Sequence, residues 1–452
     1  MKLARLHTFL KYITLLGVMP VVFAQYPVVN TPTVPQTYSM QVATPGFNQV
    51  RASQGFPASQ SYSTQQHQNQ QLIDEVEQHQ KEQEEKQKRA QVLINEAVSH
   101  FSTPYNLPSY YNENGADRYR KAFTTLKGIE NMTFSVKEAV FTVENAFYEH
   151  ETDYTEFDKV IQQTGDFIKE KMREFGYDTN SNVAKNLMLF QFFSDTLKTK
   201  SGLTHLPLAY DFEDIWGKKD WSKMFVAKLL ESGKGQCHSL PLLYLMLAEE
   251  IDATAHLSRS PNHTYIKFPD DNGMKWHNVE LTSQILTTNA LILQNGYIKA
   301  EAIQNKLYMH PLSQQELLSQ MYTDLAMGYQ KKFGHDRFTK DALQKALALD
   351  ANNITALLTQ ANYYTEMVAH VFGQLGITQE NIQQELPKHP KVLALFQKMV
   401  HQHKTIDTLG YKKMPDAMYQ KWLAAMQKQK DNQQQKAMKE QLHKLTKPLP
   451  KL

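Results

Sequence analysis

The stretch that decides the fold reads GKGQCHSLPLLYLMLAEEI, from Gly233 to Ile251. It carries Cys237, the single cysteine among the 452 residues, in a glycine-flanked turn that an apolar segment follows at once. Residues 240–248 are apolar on nearly every helical face, which is typical of a helix inside a core. Pro241 falls in the first turn, where its missing N–H leaves no intrahelical hydrogen bond unmade. The pattern therefore predicts Cys237 at a helix N-terminus, where the macrodipole favours the nucleophilic thiolate.

The turn before this helix also predicts an oxyanion-binding site. Its glycines allow a substrate backbone to approach closely, and the amides near Gln236 and Cys237 can donate hydrogen bonds to an oxyanion. A lone cysteine is nevertheless most often a small core residue. As the single cysteine it has no partner for an internal disulfide, so the segments that follow decide between packing and catalysis.

Two runs rich in β-formers lie on either side of the turn PDDNG. They read NHTYIKF at 262–268 and WHNVELT at 276–282, which is a strong hairpin signal. Folding at the turn brings His263 opposite Glu280, within one or two positions of register. A helix carrying Cys237 and packed on this hairpin completes a set of nucleophile, base and orienting acid.

These three strings resemble the conserved blocks of the transglutaminase-like superfamily, whose thiol-enzyme core is papain-like. In that family a Gly-x-Cys helix is followed by a His strand and a Trp-x-x-Val-Asp strand, and the resemblance here covers about a third of the chain. Papain-type enzymes place their histidine well over a hundred residues after the cysteine. The short spacing here favours the transglutaminase-like order.

The resemblance implies a role for each matching residue. Cys237 matches the nucleophile and His263 the base, while Glu280 stands where the family usually has Asp. Glutamate is one methylene longer, so Asn278 on the same strand face is the substitute candidate for the third role. Three residues are candidates for oxyanion or substrate binding: Gln236, Trp276 and Asn278. Taken singly, His263 and Glu280 are ordinary strand residues and Trp276 packs, but their joint order favours a shared site.

The N-terminus predicts the compartment. Basic residues are followed by a short apolar run that ends in Val22-Phe23-Ala24, the small-residue spacing of a signal peptide cleaved after Ala24. A membrane anchor is the alternative, but the run is too short to span a bilayer as a helix. The sequence therefore predicts an exported protein, periplasmic or secreted, with no transmembrane segment after cleavage.

Composition divides the chain into five predicted parts. They are a signal peptide (1–24), a disordered Gln/Ser/Pro-rich tether (25–70), a polar helix (71–101), a transglutaminase-like domain (102–312) and a helical domain (313–452). We expect the polar helix to be a solvated helix that bridges tether and core, with a coiled coil as the alternative.

The fold class predicted is α+β. Amphipathic runs at 137–149, 157–175 and 184–197 predict helices that wall one core, and an irregular loop is expected at 201–221. The transglutaminase-like core would be a helix bundle whose nucleophile helix packs on a small antiparallel sheet.

The region after residue 312 is predicted to be all-α. Alanines and leucines recur at helical spacing within 325–366, which indicates either a tetratricopeptide-like helix pair or an ordinary bundle. The Lys- and Gln-rich end, 414–452, predicts a helix with a short apolar stripe made of Met418, Trp422, Leu423 and Met426. We expect this helix to cap the α-domain in solvent, with contact to anionic lipid or cell-wall polymer as the alternative.

Charge and motifs exclude several classes of function. A formal net charge of +3 argues against a dedicated nucleic-acid binder. Cys237, His238 and His263 are conceivable metal ligands, yet the chain has no HExxH or CxxC spacing, so no metal and no cofactor is predicted.

Two functions are compatible with the sequence. The first is an exported cysteine enzyme that acts on amide or peptide bonds through a thioester, hydrolytic by analogy, with a protein or peptide as substrate. The alternative is a catalytically inactive scaffold of the same fold, which binds proteins of the cell envelope through its helical C-terminal domain.

Overall fold

The computed structural model describes residues 105–130, 133–148, 152–294 and 296–445, together with the single helical residues Gln78 and Glu85. The predicted signal peptide and tether, and nearly all of the predicted polar helix, lie outside these residues. The described part combines helices with three small sheets. The predicted α+β class is therefore confirmed.

The helices and strands are numbered in chain order over the described residues. The helices are α1 (Ala116–Gly128), α2 (Val136–Phe147), α3 (Tyr154–Phe175), α4 (Asn182–Ser194), α5 (Val226–Ser232), α6 (Ser239–Glu250), α7 (Asn289–Leu293), α8 (Ala300–Gln304), α9 (Gln314–Phe333), α10 (Arg337–Leu349), α11 (Ile354–Leu375), α12 (Ile382–Glu385), α13 (Pro390–Thr408) and α14 (Asp416–Leu445). The strands are β1 (Leu197–Lys198), β2 (Thr204–His205), β3 (Ala209–Tyr210), β4 (Lys234–Gly235), β5 (His256–Ser260), β6 (His263–Pro269), β7 (Trp276–Glu280) and β8 (Ile285–Thr287). Short 3-10 helices occupy Trp221–Met224 and Leu386–Lys388.

Helices α2, α3 and α4 fall on the three amphipathic runs of the sequence. Each begins at a polar cap: the side chains of Ser135, Asp153 and Ser181 accept hydrogen bonds from backbone amides of the first turn. Such caps satisfy amides that have no partner within the helix. All three helices pack on α6, whose residues 239–248 are all buried. The central apolar helix is thus the hub of the core, as its composition predicts.

A four-stranded antiparallel sheet in the order β5-β6-β7-β8 lies beside this hub. The predicted hairpin is formed by β6 and β7, with Ile266 opposite Val279. Continuing this register by one step places Glu280 opposite Tyr265, two residues from His263 and on the same face. Strands β5 and β8, which the sequence analysis does not predict, extend the hairpin on both sides.

The helices after residue 312 pack directly on the first part of the chain. Helix α9 starts with a capping box between Ser313 and Glu316, and it contacts α1 and α2 as well as α10. Apolar residues of α9 and of α6 belong to the same buried cluster. The hydrophobic core therefore continues across the predicted boundary between residues 312 and 313.

Helix α14 lies in a different place from the one the sequence analysis predicts. It does not cap the α-domain in solvent: Tyr419, Leu423 and Met426 are buried, and Tyr419 and Leu423 belong to the same core cluster as Cys237. Met418, which belongs to the predicted apolar stripe, is 38% exposed. The true buried face is offset because Tyr419, a residue with a polar tip, faces inward.

In the part of the chain that the structure covers, no helix is both long enough and apolar enough to cross a bilayer.

Candidate functional site

The turn that carries Cys237 is shaped by two glycines with different tasks. Gly233 ends α5 with φ of 67°, a left-handed conformation that favours glycine. At Gly235 the constraint is space, because a Cβ there would lie 2.7 Å from Oγ of Ser239. That Oγ accepts a hydrogen bond from the amide of Gln236 at 2.9 Å. The chain therefore makes a tight turn that sets Cys237 two residues before α6, as predicted.

The second strand of the sheet holds Cys237 from the other side. The Thr264 hydroxyl donates a hydrogen bond to the carbonyl oxygen of Cys237. Thr264 is adjacent to His263 at the start of β6, so this bond couples the turn that carries Cys237 to the strand that carries His263. Both Cys237 and His263 are buried, each 2% exposed.

His263 and Glu280 form a buried pair, with Nε2 of the imidazole 2.7 Å from Oε2 of the carboxylate. The other carboxylate oxygen, Oε1, accepts a hydrogen bond from the backbone amide of Thr282 at 2.9 Å. The glutamate thus reaches the position expected of the acid, since the diagonal register leaves room for the longer side chain. Nδ1 of His263 is buried and makes no well-formed hydrogen bond within the described residues. It is the ring nitrogen left to exchange a proton with the thiol.

The charges of the site favour a thiolate and an imidazolium. Burial opposes ionisation of the Cys237 thiol, but interaction with His263 outweighs it and the pKa of the thiol is lowered. Burial also disfavours the charged imidazole, yet the Glu280 carboxylate and the interaction with Cys237 raise the pKa of His263. An opposite charge at contact distance stabilises each ion of such a pair. This arrangement is the one that an activated nucleophile with an oriented base would need.

Two side chains that the sequence analysis does not assign to the site come from α14. The Tyr419 hydroxyl donates a hydrogen bond to Sγ of Cys237 at 3.7 Å. The ring of Trp422 stands edge-on to the ring of His263, with their centroids 4.8 Å apart. No local sequence signal points to these contacts, because α14 is far along the chain from the turn and the hairpin.

Gln236, the candidate for oxyanion binding, is used to hold a loop. Its side-chain nitrogen donates to the carbonyl oxygens of Asp211 and Asp214, at 2.9 and 3.1 Å. The Asp214 carboxylate in turn accepts hydrogen bonds from the backbone amides of residues 218–220. The predicted irregular loop is thereby fixed beside the nucleophile turn, and the backbone amide of Gln236 is occupied by Ser239.

The other two candidates make their contacts away from Cys237. Trp276 lies opposite Pro269 at the turn end of the hairpin, 40% exposed, with its ring centroid 5.5 Å from that of His256. The side-chain nitrogen of Asn278 donates to Oδ1 of Asn289 at 2.9 Å. The structure therefore brings together Cys237, His263 and Glu280 and leaves Trp276 and Asn278 apart from them.

A second buried histidine, His238, lies directly after Cys237. Nε2 of His238 is 3.1 Å from Oδ2 of Asp324 on α9, and the other carboxylate oxygen of Asp324 accepts a hydrogen bond from the side-chain nitrogen of Gln320. Burial opposes charge on His238, but Asp324 outweighs it and raises the pKa of the imidazole. In sequence His238 stood out only as a conceivable metal ligand. Over the described residues no group of three or more His, Cys, Asp or Glu side chains is arranged to hold a metal ion.

An open groove of about 820 Å³ runs beside α14. One wall is the loop that Gln236 fixes, with Tyr210, Phe212 and Trp216; the other is α14, with Gln420 and Leu423. Thr282, whose amide binds Glu280, also lines it. The groove thus approaches Glu280 from the loop side through Thr282.

Comparison of the chain with protein-family models, with curated proteins and with solved structures found no match.

Proposed function

We propose that this protein is a cysteine-dependent acyl-transfer enzyme of the transglutaminase-like type, acting on amide bonds of proteins or peptides. The observation that carries the proposal is the buried set in which Cys237, His263 and Glu280 lie together, with a thiol of lowered pKa beside an imidazole of raised pKa. Perturbed pairs of this kind concentrate at functional sites. The chain order of cysteine, histidine and acid is the one that the sequence resemblance implies.

The chemistry follows from the roles of the three side chains. The Cys237 thiolate attacks the amide carbonyl carbon, a C–S bond forms, and the carbonyl electron pair moves to oxygen. His263, as the imidazolium, gives its Nδ1 proton to the leaving nitrogen as the C–N bond breaks, which leaves a thioester on Cys237. Water, deprotonated by His263, then attacks the thioester carbonyl carbon. The C–S bond breaks, the acid is released, and Cys237 leaves as the thiolate beside the imidazolium that now carries the proton. Glu280 holds the imidazole throughout.

A peptide mixture with an added primary amine tests this proposal. The full chain and a Trp422→Ala variant are both assayed, because Trp422 lies against the base. Mass spectrometry should reveal cleaved or amine-linked peptides, and these should disappear in Cys237→Ala. His277→Asn, a change on β7 outside the catalytic set, is the matched control and should keep the activity. If neither active-site-intact chain forms products while both are folded, the enzyme proposal fails.

The inactive scaffold is the second candidate, favoured by one observation. Cys237 is only 2% exposed and the Tyr419 hydroxyl lies against its sulfur, so the site is closed to a substrate as it stands. A scaffold needs no chemistry at Cys237. Partner binding that survives in Cys237→Ala, with no turnover by any variant, would favour this candidate.

A further inference from the structure

Two neighbouring turns of α14 lie across the approach to the catalytic set. The hydroxyl of Tyr419 is 3.7 Å from Sγ of Cys237, and the ring centroid of Trp422 is 4.8 Å from that of His263. A single helix therefore contacts both the nucleophile and the base. An amide carbonyl cannot reach the sulfur while these two side chains are in place.

The surroundings of these two rings are aromatic. The ring of Trp216 packs on Tyr419 with the centroids 4.8 Å apart, and the rings of Tyr419 and Trp422 stack at 5.7 Å. The open groove continues past Phe212, which is 48% exposed. An exposed aromatic ring at the rim of a cleft is a common feature of binding sites.

The charged residues of the groove do not indicate which ligand it selects. The groove is lined by the acidic Glu213 and Asp214 and by the basic Lys218 and Lys219, so neither sign dominates. The carboxylate of Asp214 is engaged by backbone amides of its own loop. Selection by aromatic side chains is therefore better supported than selection by charge.

We propose that the cleft filled by Tyr419 and Trp422 is the binding site for a polypeptide segment that carries aromatic side chains, and that α14 occupies it as an internal stand-in. The incoming segment replaces the two rings of α14 against Trp216 and His263, and it then lies against Cys237 in their place. The inference rests on the proposed function, because it takes Cys237 as the reactive group.

The rate at which the single thiol reacts with iodoacetamide at neutral pH measures how completely α14 covers Cys237. Trp422→Ala in the full chain should alkylate at least about tenfold faster than the native chain, because local opening controls access to buried groups. Met418→Ala changes an exposed residue of the same helix and should react at the native rate. A folded Trp422→Ala chain that reacts no faster than the native chain overturns the proposal.

A blocked diphenylalanine amide tests the ligand class, with blocked dialanine amide as the control. The aromatic peptide should slow alkylation of Trp422→Ala, and the dialanine peptide should not. Equal protection by both peptides, or by neither, contradicts the aromatic site.

The native chain supplies a measurement that needs no variant. At a concentration of the aromatic peptide that protects Trp422→Ala, hydrogen exchange of the amides at 416–428 should become faster, because the peptide displaces the first turns of α14. Unchanged or slower exchange overturns the stand-in role.

The two proposals fail in different ways. If α14 governs alkylation but no chain forms cleaved or amine-linked peptides, the cover is real and the enzyme proposal fails. If products form while Trp422→Ala is alkylated at the same rate as the native chain, the enzyme proposal stands and this inference fails.

Discussion

Nε2 of His263 lies 2.7 Å from Oε2 of Glu280, and both side chains are almost wholly buried. A carboxylate at this distance stabilises the imidazolium, which in turn stabilises the thiolate of Cys237. The ionisation of the sulfur therefore depends on an acid that lies behind the base. Glu280 acts on the thiol through His263.

Glu280→Gln should raise the pH at which the thiol ionises. The substitution keeps an oxygen for the Nε2 proton and removes the charge, so the midpoint of the thiolate titration should rise by about one to three units. The ultraviolet absorbance of the thiolate measures it, with the Cys237→Ala spectrum subtracted. Glu231→Gln, at a carboxylate 70% exposed on α5, is the charge-matched control. An unchanged midpoint in Glu280→Gln would show that the pair does not tune the sulfur.

Gly235→Ala should destabilise the fold. The new Cβ would meet Oγ of Ser239 at 2.7 Å and Cδ1 of Leu229 at 3.0 Å, and overpacking of this kind costs about 1–3 kcal/mol. Gly373→Ala is the matched control, since nothing lies within 4 Å of its Cβ in α11. That change should stabilise the helix by up to about 1 kcal/mol. Chemical denaturation compares the two, and equal effects would contradict the packing argument.

His335 should make the fold sensitive to acid. Burial lowers the pKa of His335 from 6.5 to about 4, with only a partial opposing effect of Asp336. The unfolded chain therefore binds a proton at His335 more tightly than the folded chain does. The contribution of His335 to the free energy of unfolding is complete above pH 6.5 and is lost as the pH falls towards 4. His335→Gln should remove roughly 3 kcal/mol of this loss. Unfolding free energies measured across this range test it, and a slope that is unchanged in His335→Gln would exclude the residue as the cause.

The ion pair of Arg259 and Asp350 should behave as a coupled unit. It joins β5 to the end of α10 at 3.0 Å, and both side chains are buried. Asp350→Asn leaves the guanidinium uncompensated and should cost about 3–5 kcal/mol. Adding Arg259→Met should recover much of this loss, because no buried charge is then left unpaired. Additive losses in a double-mutant cycle would refute the coupling.

The part of the site that the sequence predicts is the part fixed by local structure. The apolar segment 239–248 has one stable environment, inside the core, and this places Cys237 at its start. The hairpin turn fixes the register of two short strands, so His263 and Glu280 fall on one face. These relations span few residues and depend on periodicity and turn chemistry.

The rest depends on contacts that local patterns do not encode. Whether the Gln236 side chain faces a substrate or the loop at 211–214 is decided by the conformation of that loop. The position of α14 is decided by the shape of a cleft formed by residues far away along the chain. Its apolar stripe therefore predicts that one face is buried but not which surface that face packs against. Glu280, by contrast, fits despite its extra methylene because the diagonal register lengthens the gap that it has to bridge.

Tyr419 follows Cys237 by 182 residues. A ribosome makes the chain from the N-terminus, so the sulfur, the imidazole and the carboxylate are all synthesised well before the helix that covers them. A nascent chain paused between these points carries all three side chains of the proposed site but not the helix that covers them, so the cover is synthesised after the site.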